Sequence, residues 1–294
     1  MHSYLRAIGF SNVRSRSDLD KIIGTIMNEP TNKTTTKVND KVILTEITKN
    51  FSERMGITIR GEYDEFGFFH LEHYFPHFCG QMVTAKEDVV VNKKVDTDSY
   101  TGMCDDIRLG VSLIFYLQNV IDYIEKKKVK DFPSIIVPVT LSGLSIEGKI
   151  LLPLDKTEKQ IRNNKADTKY RNNLIAEAKK GNQDAIDSLT IDDIDLYALI
   201  SKRAKHEDIY SIVDTSFVPY GAESDNYSIL GTILDSKLIN NEFTKESIYD
   251  LLIECNDLIL NICINKEDLL GEPSVGRRFK GNIWMQGFID FSEV

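Results

Sequence analysis

One block of the chain restricts the possible folds more than any other. Residues 156–206 contain no proline and a single glycine, Gly181, and their composition is typical of helix throughout. Glycine adopts a positive φ without strain, so Gly181 favours the end of one helix before a second helix begins. The block therefore predicts a helical hairpin between two strand-rich parts of the chain.

The two arms of this predicted hairpin carry opposite charges. Residues 156–180 hold eight basic and three acidic side chains, whereas residues 182–196 hold five aspartates and no basic residue. The basic arm could contact nucleic acid, or the two arms could pair with each other and with water. Charge runs on helices usually belong to solvated, internally paired faces, which favours the second interpretation.

The clearest helical periodicity lies in residues 103–126. Apolar side chains recur there at spacings of three and four, which places them on one face of a helix. These are Ile107, Val111, Ile114, Leu117, Ile121 and Ile124. Lys126, Lys127 and Lys128 follow, where they would face the negative end of the helix dipole. The pattern predicts one long buried helix at the centre of an N-terminal mixed α/β domain.

The first turn of that predicted helix offers candidate reactive groups. Asp105, Asp106 and Arg108 could act in catalysis, although acids at the start of a helix usually only complement its dipole. Cys104 could be activated by the helix N-terminus, whereas free cysteines are usually buried structural thiols. We therefore expect structural roles for these residues.

Strand patterns dominate both sides of the helical block. Residues 64–67 form a predicted hairpin turn between strands at 57–63 and 68–78. Four or five strands in 208–291 favour a small Greek-key barrel of the oligonucleotide-binding type. The predicted class is α+β, with a mixed domain at 1–155, a charged helical hairpin at 156–206 and a small β-barrel domain at 207–294.

Residues 271–291 provide the candidate binding surface. They hold four of the 17 glycines, the only tryptophan and a basic cluster. If 282–291 is a strand whose inner face lines the barrel, its aromatic side chains face outward beside the cluster. Aromatic and cationic groups together bind single-stranded nucleic acids, nucleotides and phosphorylated partners. The predicted ligand-binding residues are Arg277, Arg278, Lys280, Trp284 and Phe288. The alternative, which we favour because large aromatic side chains are usually covered, is that the aromatic pair packs against the N-terminal domain or the hairpin and that the arginines bridge to acids there.

A second candidate site is a metal centre in residues 70–79. His73, His77 and Cys79 would point to one face of an extended strand, and these residue types bind zinc. Positions 73 and 77 of a strand lie about 13 Å apart, at about 3.3 Å per residue, which is too far for one ion. Only a bend at Pro76 would bring the two histidines together. Histidines on an aromatic-rich sheet surface are the alternative that we favour.

Composition restricts the partners and the compartment. With 45 acidic and 36 basic residues, the formal net charge is −9, which argues against broad attraction to nucleic acid or anionic lipid. No apolar run approaches the roughly 20 residues that span a bilayer, and the N-terminus has no signal-peptide pattern. The four cysteines lack CxxC spacing, which is typical of reduced thiols in the cytoplasm.

Several longer phrases are similar to a known family. They are CDDIRLGVSLIFYLQN, LSGLSIEGKILLP, SIVDTSFVPYG, CINKEDLLGEP and GRRFKGNIWMQG. The chain resembles a family of uncharacterised proteins from Gram-positive anaerobic bacteria that is catalogued as a domain of unknown function of about this length. The resemblance covers nearly the whole chain. It implies a bacterial, cytoplasmic protein and supplies no reaction, cofactor or catalytic residue.

These observations predict a non-catalytic cytoplasmic binding or adaptor protein that contacts its ligand through the C-terminal barrel. The sequence matches no GxSxG, GxxxxGK[ST] or GxGxxG motif, so it assigns no catalytic residue and identifies no cofactor. The first alternative is a binder of single-stranded nucleic acid or nucleotide that uses Arg277, Arg278, Lys280 and Trp284. The second is a metal-dependent enzyme centred on 70–79. The acidic composition favours a protein partner or a small ligand over nucleic acid, without membrane contact.

Overall fold

A computed structural model describes residues 2–38, 42–94, 99–106, 111–129, 135–154, 158–222 and 224–293. The predicted α+β class is confirmed. The helices are α1 (Arg16–Asn28), α2 (Val120–Val129), α3 (Glu158–Lys179), α4 (Gln183–Arg203) and α5 (Ile209–Ile212), and short 3₁₀ turns lie at Ser3–Ile8, Lys266–Asp268 and Phe291–Glu293.

Fourteen strands are assigned within these residues. They are β1 (Asn32–Lys37), β2 (Ile43–Ser52), β3 (Met55–Tyr63), β4 (Phe69–Phe78), β5 (Ala85–Lys93), β6 (Tyr100–Asp106), β7 (Val111–Leu117), β8 (Ile135–Leu151), β9 (Ser216–Pro219), β10 (Asn226–Asn240), β11 (Ser247–Cys255), β12 (Leu258–Asn265), β13 (Leu269–Leu270) and β14 (Arg278–Ile289).

The first four strands form a small antiparallel sheet in sequence order. The predicted hairpin turn between β3 and β4 is confirmed. The Asp64 carboxylate accepts the backbone N–H groups of Phe66 and Phe68, and Gly67 takes the left-handed conformation at φ +83°. This hairpin fixes the register of β4, which carries both candidate histidines, His73 and His77.

The remaining strands form one large sheet whose pairings return on themselves. β8 pairs with β12, β12 with β11, β11 with β10, β10 with β14, and β14 with β8. The sheet takes strands from both sides of the helical block, so the proposed division into 1–155 and 207–294 separates strands that pair directly. The narrower prediction of a barrel within 207–294 stays a prediction, because the ring of pairings includes β8.

The predicted long helix at 103–126 is wrong. Its residues form the end of β6, strand β7 and the start of α2, and β6 and β7 pair as antiparallel neighbours. Ile107 and Arg108 lie outside the described residues. Both faces of β7 are covered: Leu113 and Phe115 belong to one core, whereas Tyr116 belongs to another. A strand that is apolar on both faces places apolar residues at helical spacings by chance.

Two apolar cores hold the sheets together. The first lies within the large sheet and also includes side chains of α2. The second joins the N-terminal segment, α1 and the small sheet to the outer face of the large sheet; it includes Leu5, Ile57, Tyr116 and Trp284. The second core covers a sheet surface that would otherwise face solvent.

The predicted helical pair in 156–206 is present as α3 and α4. Gly181 lies between them at φ +86°, and the Asn182 side chain caps α4 by accepting the backbone N–H of Ala185. None of the helices among the described residues is both long and apolar enough to cross a bilayer.

Candidate functional site

A cleft of about 520 Å³ opens between α2 and the adjoining strands β5 and β6. Its size lies within the ~300–1,000 Å³ that is typical of small-molecule sites. We call it the Lys–Tyr cleft. Its lining residues are Val91, Asn92, Lys93, Tyr100, Tyr123, Ile124, Lys127 and Lys128.

The sheet register builds one side of the Lys–Tyr cleft. β5 ends with three valines followed by Asn92 and Lys93. The antiparallel pairing with β6 places Lys93 directly opposite Tyr100. Cross-strand neighbours of this kind lie close enough for their side chains to interact. The Lys93 Nζ atom is 6.0 Å from the centre of the Tyr100 ring, within the range of a cation–π contact.

The helix α2 builds the opposite side in the same way. Tyr123 and Lys127 are four residues apart and therefore neighbours on the helix surface. The Lys127 Nζ atom lies 5.7 Å from the centre of the Tyr123 ring. The two tyrosine rings meet edge to face, with centroids 6.1 Å apart and planes inclined by 61°. The two lysine–tyrosine pairs therefore adjoin one another in the lining of the cleft.

The lining is cationic in a protein of net charge −9. It contains three lysines and no carboxylate among its described residues. Lys128 is partly neutralised, since its Nζ atom lies 2.9 Å from Glu125 and also donates to Thr36. A hydrogen bond from Thr36 lowers the pKa of the Glu125 carboxyl most, and one from Lys128 lowers it further. Lys127 is exposed. The arrangement can bind an anion that also presents a flat apolar surface to Tyr100, the less buried of the two tyrosines.

The predicted patch at 277–288 is dispersed by the fold. Arg278 is only 4% exposed, and its guanidinium donates to the backbone carbonyls of Leu152, Val213 and Tyr210 at 2.7–3.0 Å. The Arg278 guanidinium is therefore not part of an exposed basic surface. It links the end of β8 to the segment before β9.

The two cations beside Arg278 also have intramolecular partners. Arg277 donates to the Glu272 carbonyl at 2.9 Å, and the Lys280 ammonium donates to the Ser228 hydroxyl at 2.5 Å. Burial lowers the pKa of Lys280, with a smaller contribution from the charge of Lys149. These contacts tie the cations to neighbouring strands and turns.

The predicted outward orientation of Trp284 is wrong, and the alternative that it packs against the N-terminal part is confirmed. Trp284 is 6% exposed, and its ring stacks on Tyr4 at a centroid distance of 5.5 Å. Alternation along β14 does place Trp284 on the face opposite Ile283, but the second core covers that face too. Phe288 is 40% exposed, so the two aromatic residues do not form one surface.

The candidate metal ligands are engaged with other groups. His77 is buried, and its ring nitrogens lie 3.1 Å from Thr58 Oγ1 and Asn50 Oδ1. The Cys79 thiol donates to Gln118 at 3.3 Å. The His73 ring stacks on Phe75 at a centroid distance of 5.9 Å. Among the described residues, no three His, Cys, Asp or Glu side chains are grouped as metal ligands.

The candidate groups at 104–106 lie on strand β6. Cys104 is buried on β6 in the first core, where the sequence pattern predicts a helix start. Asp105 is exposed and lies 3.8 Å from Lys179 of α3. These positions therefore link the sheet to the helical pair.

Sequence reasoning missed the Lys–Tyr cleft. It assigned 126–128 to a helix end, and these residues lie in the last turn of α2. Nothing in the sequence places Tyr100 near Tyr123, because their contact depends on how α2 packs against β5 and β6. The available sign of the cleft in the sequence was a pair of lysine-rich tracts, 93–94 and 126–128, that each lie close to a tyrosine.

Comparison with known families matches residues 5–287 to a family described as a domain of unknown function from an E. rectale gene. Neither the curated proteins nor the solved structures gave a match. The match agrees with the resemblance that the sequence phrases indicate, and it covers all but the ends of the chain. The chain belongs to the DUF3881 family.

Proposed function

We propose that the protein is a non-catalytic cytoplasmic binding protein and that its ligand site is the Lys–Tyr cleft. The ligand would be a small organic anion with a planar ring, of about mononucleotide size. The observation that carries this proposal is the presence of two adjoining lysine–tyrosine contacts in the lining of a cleft of about 520 Å³.

The chemistry of the lining supports an anionic, planar ligand. An aromatic face contributes about 1–3 kcal/mol when a nucleobase stacks on it. Lysine ammonium groups attract phosphate or carboxylate, and a cleft concentrates their field even when the whole protein is acidic. Val91 and Ile124 add apolar surface on the two sides of the cleft.

A binding role without catalysis fits the same residues. The described lining has no histidine, cysteine or carboxylate, the groups that most often act as bases or nucleophiles. The four cysteines of the chain are free thiols, which is consistent with a reducing compartment.

Isothermal titration calorimetry tests the proposal with ATP and flavin mononucleotide as probes. We expect at least one of them to bind, and Lys93→Ala/Lys127→Ala to weaken its binding by about tenfold or more, since each lost charge contact contributes about 1 kcal/mol. The matched control, Lys21→Ala/Lys266→Ala, removes two lysine charges outside the cleft and should keep the wild-type affinity.

Component probes separate the two halves of the site. Inorganic triphosphate reports on the lysines alone, and adenosine reports on the tyrosines alone; we expect each to bind more weakly than ATP. Failure of both ATP and flavin mononucleotide to bind, or equal weakening in the control, would contradict the proposal. Binding of a 15-nucleotide oligothymidylate without either mononucleotide would favour the single-stranded nucleic acid alternative.

A further inference from the structure

Helix α4 leaves a strongly apolar segment exposed to solvent. All nine residues from 191 to 199 are exposed, and five of them are large and apolar: Ile191, Ile194, Leu196, Tyr197 and Leu199. Tyr197 is 74% exposed and Ile194 is 62% exposed. Ile191, Ile194 and Tyr197 follow one another at spacings of three, so they lie on one side of the helix. Exposed apolar surface of this kind often marks an interaction site.

The described part of the chain covers little of this segment. α3 and α4 pack mainly against each other. Among the side chains of the pair that the structure describes, the buried ones are Ile175 and Ala185, which lie close to the turn at Gly181. Farther along α4, residues 191–199 are exposed. The pair resembles half of a helical bundle, in which the missing half would supply the apolar contacts.

The charge of α4 determines which kind of partner can bind to its exposed segment. The exposed apolar side chains of α4 alternate with Asp192, Asp193 and Asp195, and residues 182–196 contain no basic side chain. An occupant must therefore be a helix that is basic as well as partly apolar. Anionic lipid and nucleic acid are disfavoured by the same aspartates.

The chain itself contains a helix of that character. The sequence of α3 contains six basic and three acidic residues, and Tyr170 of α3 is 58% exposed. Within one molecule, the Arg171 guanidinium already reaches Asp193 at 2.8 Å, so the two helices have charges spaced for pairing. That pair is half exposed and contributes little by itself, which leaves the apolar face as the main source of association energy.

We propose that the protein self-associates through its helical hairpin, with α4 of each copy packed against α3 of the other. A twofold axis makes the two contacts identical, and the four helices form an antiparallel bundle. Packing α4 against α4 would instead place aspartates against aspartates, whereas the crossed arrangement places the acidic helix on the basic one. This surface is independent of the Lys–Tyr cleft.

Sedimentation velocity over a range of protein concentrations tests the proposal. We expect the wild-type chain to reach twice its 33.5 kDa mass, and Ile194→Glu/Tyr197→Glu to remain at 33.5 kDa. Far-UV circular dichroism should show unchanged helix content, because both positions are exposed. Ile191→Gln/Tyr197→Gln, which adds no charge, should shift the dimer dissociation constant in the same direction by at least tenfold.

The matched control is Leu238→Glu/Leu270→Glu, which places the same two charges on exposed apolar positions of the sheets. We expect it to dimerise like the wild type. A wild-type chain that stays monomeric at 100 μM, or a control that dissociates as fully as the α4 variants, would overturn the proposal. The first of these outcomes would leave the α4 face to a basic helix of another protein.

Discussion

The indole Nε1–H of Trp284 donates a hydrogen bond to the carboxylate of Asp225 at 3.2 Å, and both side chains are buried. Lys94 lies 3.5 Å from the same carboxylate oxygen, so the buried charge has a second partner. This contact explains why the only tryptophan of the chain does not serve as an exposed stacking surface. It fastens the loop before β10 to the middle of β14.

Replacement of Trp284 therefore tests stability. We expect Trp284→Phe to lower the free energy of unfolding by about 1–3 kcal/mol, because it leaves a buried carboxylate with one donor fewer. Urea denaturation followed by circular dichroism measures the change. In the control, Phe288→Leu alters an exposed aromatic residue on the same strand and should change stability by less than about 0.5 kcal/mol. Equal losses in the two variants would contradict the assignment.

The ion pair between Arg60 and Glu46 gives a second prediction. Both side chains are buried in the small sheet, and the Arg60 Nε atom lies 2.8 Å from Glu46 Oε1. Desolvation raises the pKa of the Glu46 carboxyl, while the charge of Arg60 opposes that shift. Arg60→Met should lower the free energy of unfolding by about 3–5 kcal/mol, since it leaves an uncompensated buried charge.

Two further variants separate this buried pair from ordinary surface charge. Arg60→Met/Glu46→Met should recover part of the loss, because both charges are then absent. Arg6→Met removes the more exposed pair with Asp268 and should cost about 1 kcal/mol or less. Chemical denaturation of the four proteins provides the comparison, and a double variant less stable than Arg60→Met would exclude this explanation.

His77 makes the stability of the fold depend on pH. Burial lowers the pKa of its imidazole from 6.5 to about 4. Above pH 6.5 the ring is neutral in both states, and the full stability is present. Between pH 6.5 and about 4 the unfolded chain binds a proton that the folded chain does not, so the free energy of unfolding falls, by on the order of 3 kcal/mol in total.

A pH series of urea titrations checks this dependence. The pKa of His2 is also lowered to about 4, mainly by burial, so His77→Gln should remove roughly half of the fall between pH 6.5 and 4. His70 is the control, because its side chain is 63% exposed on the surface beside Asp64. His70→Gln should leave most of the pH dependence intact. An unchanged slope in His77→Gln would refute the prediction.

Phe115 packs over two glycines on the neighbouring strands, Gly102 of β6 and Gly287 of β14. A Cβ atom at either glycine would overlap the Phe115 ring. Gly287→Ala should therefore destabilise the protein by about 1–3 kcal/mol through overpacking. Gly24 lies inside α1 with open space around it, so Gly24→Ala should stabilise by about 0.5–1 kcal/mol. Thermal unfolding of both variants measures the opposite shifts in Tm, and equal shifts would argue against the packing role.

The sequence predicted elements whose signals are local. Gly181 sufficed for the division into two helices, since a residue that adopts the left-handed conformation without strain ends one helix before the next begins. Asp64 and Gly67 likewise sufficed for the β3–β4 hairpin. The same local evidence failed at 103–126, because strand β7 contributes apolar side chains to both cores and so imitates one continuous helical face.

The candidate site depended on contacts between distant segments. The alternation along β14 correctly put Trp284 opposite Ile283, but whether that face met solvent depended on Tyr4 and Tyr116, which lie far away in the sequence. The Lys–Tyr cleft arose for the same reason, from the packing of α2 beside β6. The sequence by itself determined the α+β class, the charged helical pair and the acidic surface, because these follow from composition and short-range backbone preference. Only the tertiary structure decided which aromatic and basic residues are exposed, because burial depends on the strands and segments that the fold brings together.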